Sequence, residues 1–392
     1  MLPEVLVTVT GALAAILQAR VQVSSKESIN VAIVGLGKMG VSHLAIANAS
    51  ARLNVVAVCD SFTMLGNMVE KHCGLAYVAQ YADLLNVAGL QAVVIATPTR
   101  SHDPMIRAAL DKGLHVFCEK PMTLSAAVSE ELAQAAASKG LVTQVGYHNR
   151  FVATFAEVRR LLNEGVIGKV RHIHGEAYGP VVLKPVGKTW RSQSSEGGGC
   201  LYDYAAHPIN LMNWYGGPVL QCNGAELAKQ YSTDVDDAVY ANLRFGDGVT
   251  GQVTVNWSDE TVRKMSTQIS IWGDGGKIIV DRQELKVYVG ATGRTLPEYG
   301  EGWTVRYITD LTPNVDYYLR GEEYTAQLEG FAQAVAAKTI DCVNSFASGA
   351  ETDRTLEMIR ARSAVDFSEA LAPANVAAAP KSRSMLGRVL GR

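Results

Sequence analysis

The sequence predicts two folds in series: an α/β domain on a parallel sheet, then an α+β domain of mostly antiparallel strands. Between residues 30 and 150, uninterrupted apolar runs such as "NVAIVG", "LNVVAVCD", "AVVIATPT", "HVFCEKP" and "LVTQVGYH" alternate with helical stretches near 104–112 and 124–139. Runs of that kind are strands buried on both faces, the condition of a parallel sheet covered by helices. Beyond Leu220 the texture changes. In "QVTVNW", Val253, Val255 and Trp257 interleave with Gln252, Thr254 and Asn256, so one face is buried and antiparallel pairing is expected. The "FGDG" and "WGDGG" connections carry the residues of tight hairpin turns.

The elements follow in order. Residues 1–29 form an N-terminal extension, apolar up to Gln18, with Glu4 at its start and no Lys or Arg before the apolar run. A secretory signal wants a basic leader and a span wants about 20 apolar residues. A helical arm on the protein or on a neighbouring subunit is the expectation. Residues 30–150 are the first domain and 151–372 the second. The second opens with a helix near 152–164 and a strand placing His172 and His174 on one face. A polar, glycine-rich loop at 179–199 leads into the helical segment "GGGCLYDYAAHPINLMNWYGG". The strands "VLQCNGAEL", "DAVYANLRF", "VTGQVTVNW", "TQISIWG", "GKIIVD" and "LKVYVG" come next, and helices near 322–337 and 350–369 close the domain. Residues 373–392 are a basic tail with Lys381, Arg383, Arg388 and Arg392 and no acid. Contact of either terminus with a membrane is the lesser expectation.

A net charge of −2 over 392 residues gives no whole-protein basis for binding nucleic acid. The six cysteines form no C-x-x-C pair and match no zinc spacing. Scattered single cysteines are mostly buried small hydrophobes, which fits a reducing, cytoplasmic compartment.

"VAIVGLGKMG" sets Gly35, Gly37 and Gly40 as G-x-G-x-x-G between a strand and a helix, and Asp60 ends the next strand. Gly35 makes the tight turn, Gly37 lets main chain approach a pyrophosphate, and Gly40 lets helix and strand pack closely. The helix N-terminus receives the negative charge. Asp60 can accept from ribose hydroxyls and repel a 2′-phosphate. NAD is therefore the expected cofactor, with Lys38 and Arg100 leaving NADP open. The register of strand, glycines, helix, second strand and aspartate makes this a dinucleotide-binding Rossmann fingerprint.

Further along stand "ATPTRSH" at 96–102, "EKP" at 119–121, "GYHNRF" at 146–151 and "GGGCLYDYAAHPIN" at 197–210. With "GLGKMGVSH" they resemble, in order and spacing, the glucose–fructose oxidoreductase / inositol dehydrogenase (Gfo/Idh/MocA) family over about residues 30–370. The resemblance implies a dinucleotide-binding domain followed by one built on a large open sheet. It also implies hydride transfer between a nicotinamide and the carbinol carbon of a sugar, polyol or sugar nucleotide. Lys120 matches the family's lysine that reaches the reacting oxygen, and Asp203 and His207 match its D-x-x-x-H. Thr97, Pro98 and Glu119 fall where the family lines the nicotinamide and ribose, and Met39, Ser61 and His102 join the cofactor set. Ala205 replaces a frequent glycine, and Asn210, a candidate substrate-binding residue, stands where an aspartate is often found, which leaves the details of hydroxyl recognition open. A homodimer or homotetramer is expected, because sheets in this family often pair across subunits.

The chemistry of these residue types fits. Oxidising an alcohol requires a base for the hydroxyl proton, and an imidazole titrates near 6.5 unperturbed. Lys120 can stabilise a developing alkoxide. Asp203, four residues before His207, would share one helical face with it. It could bind a substrate hydroxyl, orient the imidazole or hold Lys120 charged. Pro121 would permit a cis peptide beside the lysine. Tyr147, Asn149 and Arg150 end a parallel strand, where open sheets bind ligands, and Arg150 is equally suited to contact substrate or to tie the domains together; Trp190 and Arg191 could cover a sugar, with Arg191 suited to a phosphate. His172, His174 and His207 could imitate a metal site, but no cysteine or carboxylate pattern supports one, and no metal is expected. The competing functions are a dehydrogenase of a non-sugar cyclic diol or other small ligand, and a non-catalytic NAD-sensing regulator on the same fold.

Overall fold

The computed structural model describes residues 28–183, 189–315 and 317–363. The N-terminal extension up to residue 27 and the basic tail lie outside the described residues.

The first sheet has six parallel strands in the order β3-β2-β1-β4-β5-β6. They are β1 (Ile29–Val34), β2 (Leu53–Cys59), β3 (Ala76–Val78), β4 (Ala92–Ile95), β5 (His115–Cys118) and β6 (Thr143–Val145). Every residue of β4 and β6 is buried, as the continuous apolar run of β4 requires, while in β6 the buried Gln144 amide is satisfied by the Gln327 carbonyl. Helices α1 (Lys38–Ala49), α2 (Thr63–Cys73), α3 (Tyr81–Leu84), α4 (His102–Asp111) and α5 (Ala126–Ser138) connect them. The chain order reverses between β1 and β4, and a crevice opens beyond the carboxyl ends of the strands at such a switch point. Gly35, Asp60, Thr97, Lys120 and Tyr147 all follow strand ends on that side.

The second sheet has eight strands in the order β14-β13-β12-β11-β7-β10-β9-β8. They are β7 (Val170–Tyr178), β8 (Val219–Ala228), β9 (Ala238–Phe245), β10 (Thr250–Asn256), β11 (Gln268–Gly273), β12 (Gly276–Val280), β13 (Glu284–Val289) and β14 (Gly302–Tyr307). Pairing is antiparallel except between β7 and β10. Alternation sends Ile173, Gly175 and Ala177 of β7 inward, where α7 (Ala206–Gly216) lies so close that a Cβ on Gly175 would stand 2.6 Å from the Met212 sulfur. His172 and His174 point to the opposite face and bond Thr250 and Thr254, well apart from His207 on α7.

Helix α6 (Ala153–Asn163) opens the second domain, and the short α8 (Ile308–Leu311) follows β14. Two late helices then return to the first. Phe331 of α9 (Glu322–Ala337) packs edge-on against Phe117, and Gln144 donates to the Gln327 carbonyl. Helix α10 (Phe346–Ser363) wedges between α5 and α7. It begins four residues earlier than periodicity suggested, since Phe346 is fully buried and anchors its first turn. Strands β3 and β14 escape sequence reading. The first has three residues, and the second alternates exposed Trp303, Val305 and Tyr307 with small or polar residues, inverting the usual pattern. Among the described residues, no helix is long and apolar enough to cross a membrane.

Candidate active site

The glycine loop is shaped by contact. Gly35 has φ +87°, and a Cβ there would sit 2.8 Å from the Ala96 carbonyl oxygen. A Cβ on Gly40 would lie 1.7 Å from the Gly35 oxygen, whereas one on Gly37 would meet nothing within 4 Å. The loop is thus crowded on its protein side and open at Gly37, at the N-terminus of α1, which suits a pyrophosphate. Lys38 is exposed there and Met39 half-buried. Asp60 accepts from the main-chain N–H of Leu36 at 2.6 Å and of Phe62 at 2.7 Å. These bonds fix the carboxylate beside the glycine loop, with Ser61 exposed next to it. The residues present therefore fit a dinucleotide. Arg100, a candidate for a 2′-phosphate, instead pairs with Glu196 at 2.7 Å across the domains.

His102 is buried and binds the carbonyls of Thr97, Pro121 and Met122 at 3.0–3.1 Å. It ties the "ATPT" turn to the "EKP" turn. Burial lowers its pKa despite those bonds. Thr97 is half-buried and Pro98 exposed beside it. Glu119 receives His43 Nε2 at 2.8 Å. Burial pushes its carboxyl up, but the His43 bond and the charges of His43 and Lys120 outweigh that and hold it below the usual carboxylate value.

Lys120, beside a cis Lys120–Pro121 bond, reaches into the second domain. Its Nζ donates to the Asp203 carbonyl at 2.9 Å and to Asp203 Oδ1 at 3.1 Å. Arg191 Nε donates to the other carboxylate oxygen at 2.7 Å and its guanidinium covers the Trp190 ring. Burial raises the Asp203 carboxyl, yet Lys120 and Arg191 together keep it below its ordinary value. His207 is held well below the usual imidazole range, first by burial and then by the charges of Lys120 and Arg282.

One expectation needs correction. Asp203 and His207 do not stack one α-helical turn apart, because Leu201–Ala205 is a π-turn and regular helix begins at Ala206. The wider turn, a form often found at functional sites, directs Asp203 at the two cations. Nδ1 of His207 is buried without a partner, so Asp203 does not orient that nitrogen. The preceding glycines explain the approach. Gly197 and Gly199 have φ +78° and +105°, and a Cβ on Gly198 would lie 2.4 Å from the Arg191 carbonyl.

The "GYHNRF" residues divide. Tyr147 stands edge-on to His207 with its hydroxyl buried and unpartnered, and both amide atoms of Asn149 are likewise unpartnered. Arg150 turns inward, donating to the Asn210 carbonyl at 2.8 Å and capping the Trp214 ring at 5.3 Å. Asn210 donates to Thr352 Oγ1 on α10 at 3.1 Å. These last two join α7 to its neighbours. Sequence reading missed His148, Arg282, Glu323 and Tyr324, which converge on His207. His148 is edge-on to it at 5.2 Å and stacks on Tyr324 at 4.7 Å. His148 belongs to "GYHNRF", whereas Glu323 and Tyr324 arrive with the return of α9 and Arg282 with the turn between β12 and β13, and no local motif marks those three.

Known proteins agree with this architecture. Residues 29–147 match the model of the oxidoreductase family with NAD-binding Rossmann fold, and residues 155–279 match the GFO/IDH/MocA C-terminal domain. The chain is 27% identical over 272 residues to a 2,7-anhydro-N-acetylneuraminate hydratase of Mediterraneibacter gnavus, covering 66% of this chain and 71% of that one. It is 26% identical over 322 residues to the scyllo-inositol 2-dehydrogenase (NAD(+)) of Bacillus subtilis, covering 79% and 87%. A levoglucosan dehydrogenase solved with NADH and levoglucosan shares the fold, with a TM-score of 0.75 at 22% identity over 86% of this chain and 97% of that one. The glycine cradle, the "EKP" lysine and the eight-stranded sheet thus sit in one framework, and the chain belongs to the Gfo/Idh/MocA family of NAD-binding oxidoreductases.

Proposed function

We propose that the protein is an NAD-dependent dehydrogenase of a sugar, polyol or sugar nucleotide, with Lys120 and His207 handling the hydroxyl proton. The observation that carries this is the meeting of Lys120, from the first domain, with Asp203 at 3.1 Å, beside a buried His207. NAD, when bound, supplies the carbon that takes up or returns hydride. His207 is suited to accept the substrate's hydroxyl proton, since burial and two neighbouring cations favour its neutral form. The Lys120 ammonium stabilises negative charge on the same oxygen. Asp203, anchored by Arg191 as well, fixes that ammonium rather than the imidazole. Asp60 favours NAD by standing where a 2′-phosphate would bring like charge. The relatives point to the substrate class, since their names include a scyllo-inositol and a levoglucosan dehydrogenase.

The test is a panel of inositols, hexoses, anhydro sugars and UDP- or dTDP-sugars, read by NADH absorbance. Replacing Lys120 by Met and His207 by Gln should each lower kcat/KM on the best substrate by about 100-fold or more, the scale of a general acid or base. Undiminished turnover in Lys120→Met would overturn the reading. A non-catalytic sensor on this fold would bind NADH and turn over nothing on the panel.

The same reading includes self-association. Tyr240, Tyr288, Trp303, Val305 and Tyr307 are exposed on the outer side of the second sheet, an apolar face of the kind that pairs between subunits. A homodimer or homotetramer is expected, and a monomer by light scattering at micromolar concentration would count against it.

A further inference from the structure

Beyond Lys120, Asp203 and His207, the cleft contains a second imbedded imidazole. His148 lies on the turn after β6, with its ring edge-on to His207 at 5.2 Å and one face stacked on Tyr324 at 4.7 Å. Arg282 Nη1 is 3.3 Å from His148 Nε2. A guanidinium can only donate, so Nε2 is the acceptor and the ring's single proton resides on Nδ1. Arg282 is itself held by Glu323, which is buried at the start of α9. Tyr324 is in turn covered on its ring by Arg320 at 5.0 Å. Two segments, the Arg282 turn and residues 320–324, therefore hold one imidazole in place beside the base of the proposed reaction, and Arg282 sets its tautomer. A core histidine does not need that arrangement, because burial alone would keep it neutral.

We propose that His148, locked as its Nδ1–H tautomer by Arg282 and Glu323, is a further substrate-recognition residue that donates to a hydroxyl next to the reacting one. This rests on the dehydrogenase reading and deepens it. The substrate would be a vicinal diol: one hydroxyl between Lys120 and His207, its neighbour within reach of His148. Arg282 has two effects here. It holds the tautomer, and its charge faces both imidazoles. The charged or titratable groups around His148 are His207, Arg282, Glu119, Lys120, Tyr324 and Glu323. Burial first, then His207 and Arg282, keep His148 well below the ordinary imidazole pKa, so the donor persists across neutral pH.

Two measurements test this. The first needs no turnover: long-range proton–nitrogen spectra of protein labelled at the histidine nitrogens, with His148 assigned by its loss in His148→Phe. The expected pattern is a proton on Nδ1 with no titration between pH 6 and 8 in the intact protein, and a mixture of tautomers in Arg282→Met. A proton on Nε2, or titration near 6.5, would overturn the proposal. The second compares kcat/KM for the best polyol and its mono-deoxy analogues. His148→Phe keeps a ring for Tyr324 to stack on. It should cost about tenfold on the parent, mostly in KM, a typical loss for one hydrogen bond, and nothing on the one analogue that lacks the neighbouring hydroxyl. NADH affinity should not change. An equal penalty on every analogue, or no penalty at all, would sink the proposal while Lys120→Met stays inactive. Loss of the Lys120 effect would instead sink the dehydrogenase reading, and the spectra would still decide the tautomer.

Discussion

On the nucleotide side of the cleft, main chain sets the shape: Gly35 and Gly40 pack against carbonyl oxygens, and Asp60 is held by two backbone N–H groups. On the substrate side, side chains do so, and several of their buried polar atoms (His207 Nδ1, the Tyr147 hydroxyl, the Asn149 amide) have no protein partner. Buried polar groups are normally paired. The second side therefore presents donors and acceptors that a polyhydroxylated molecule or ordered water could satisfy. A dinucleotide offers the same phosphates and ribose to every enzyme that uses it, so a rigid backbone cradle suffices. Substrates differ, and exchangeable side chains carry that difference.

The largest effect should come from testing the cradle against itself. Gly40→Ala places a methyl 1.7 Å from the Gly35 oxygen, and that overlap cannot relax without parting α1 from β1. Loss of more than about 4 kcal/mol, or failure to yield folded protein, is expected. Gly37→Ala meets no atom within 4 Å, so its melting temperature should match the parent while NADH affinity falls about 100-fold, measured by fluorescence titration. If both variants melt alike and bind alike, the division of labour among the glycines is wrong.

This contrast also explains what could be read without a structure. The G-x-G-x-x-G register, the parallel strands and most of the second sheet follow from local periodicity, because each is specified within some 30 consecutive residues. Lys120, Asp203 and His207 were legible through the order of short motifs. The π-turn that separates Asp203 from His207 was not, since Leu201–Ala205 reads as ordinary helix and its extra residue per turn depends on what Asp203 meets. Arg150, readable as either a substrate contact or a tie between the domains, donates to the Asn210 carbonyl, and Asn210, readable as a substrate contact, donates to Thr352. Arg282 and Glu323, over 70 residues downstream of His207, carry no motif at all. Their meeting with His148 is a product of topology.

On the substrate side, the corresponding substitution is Gly198→Ala. Its Cβ would lie 2.4, 2.6 and 2.7 Å from the carbonyls of Arg191, Trp190 and Gln193. That loop must move outward, taking Arg191 from Asp203. The protein should fold, since the loop is peripheral, and NADH should bind as before. Activity should drop about tenfold, because Asp203 would keep one of its two charge-assisted partners. Recovery of full activity would show that Arg191 is dispensable to the Lys120–Asp203 pair.

Acid should also separate the sides. His102, His148 and His207 all have folded-state pKa values below the ordinary 6.5, with burial the first cause in each. In the unfolded chain they take up protons near 6.5, which the folded protein resists. Stability is therefore lost as pH falls below about 6.5, while NADH affinity, resting on backbone and Asp60, should hold until unfolding intervenes. Melting temperatures from pH 7.5 to 5.5 should fall in the parent and fall less in His148→Phe. Parallel curves would mean that His148 takes up its proton as readily in the folded protein as in the unfolded chain.

The smallest effect concerns the strut beneath the cleft. Asp353 on α10 accepts from Thr123 N at 3.1 Å and Ser129 Oγ at 2.7 Å, three residues beyond Lys120 and on α5 respectively. Its other oxygen is buried without a partner. Burial, aided by Glu357 and opposed by those two bonds, raises its carboxyl from 3.8 to about 7. For an acid raised on folding, stability is full below the unfolded value and is lost as pH climbs through that window. Above pH 7 the protein thus holds a charged, half-satisfied carboxylate under the loop that presents Lys120. Asp353→Asn keeps an oxygen for Thr123 and Ser129 and removes that charge. It should melt a few degrees higher at pH 8, with the advantage shrinking toward pH 4, and leave NADH affinity as it was. An advantage constant across pH would show that Asp353 does not titrate there, and that the loop rests on the hydrogen bonds alone.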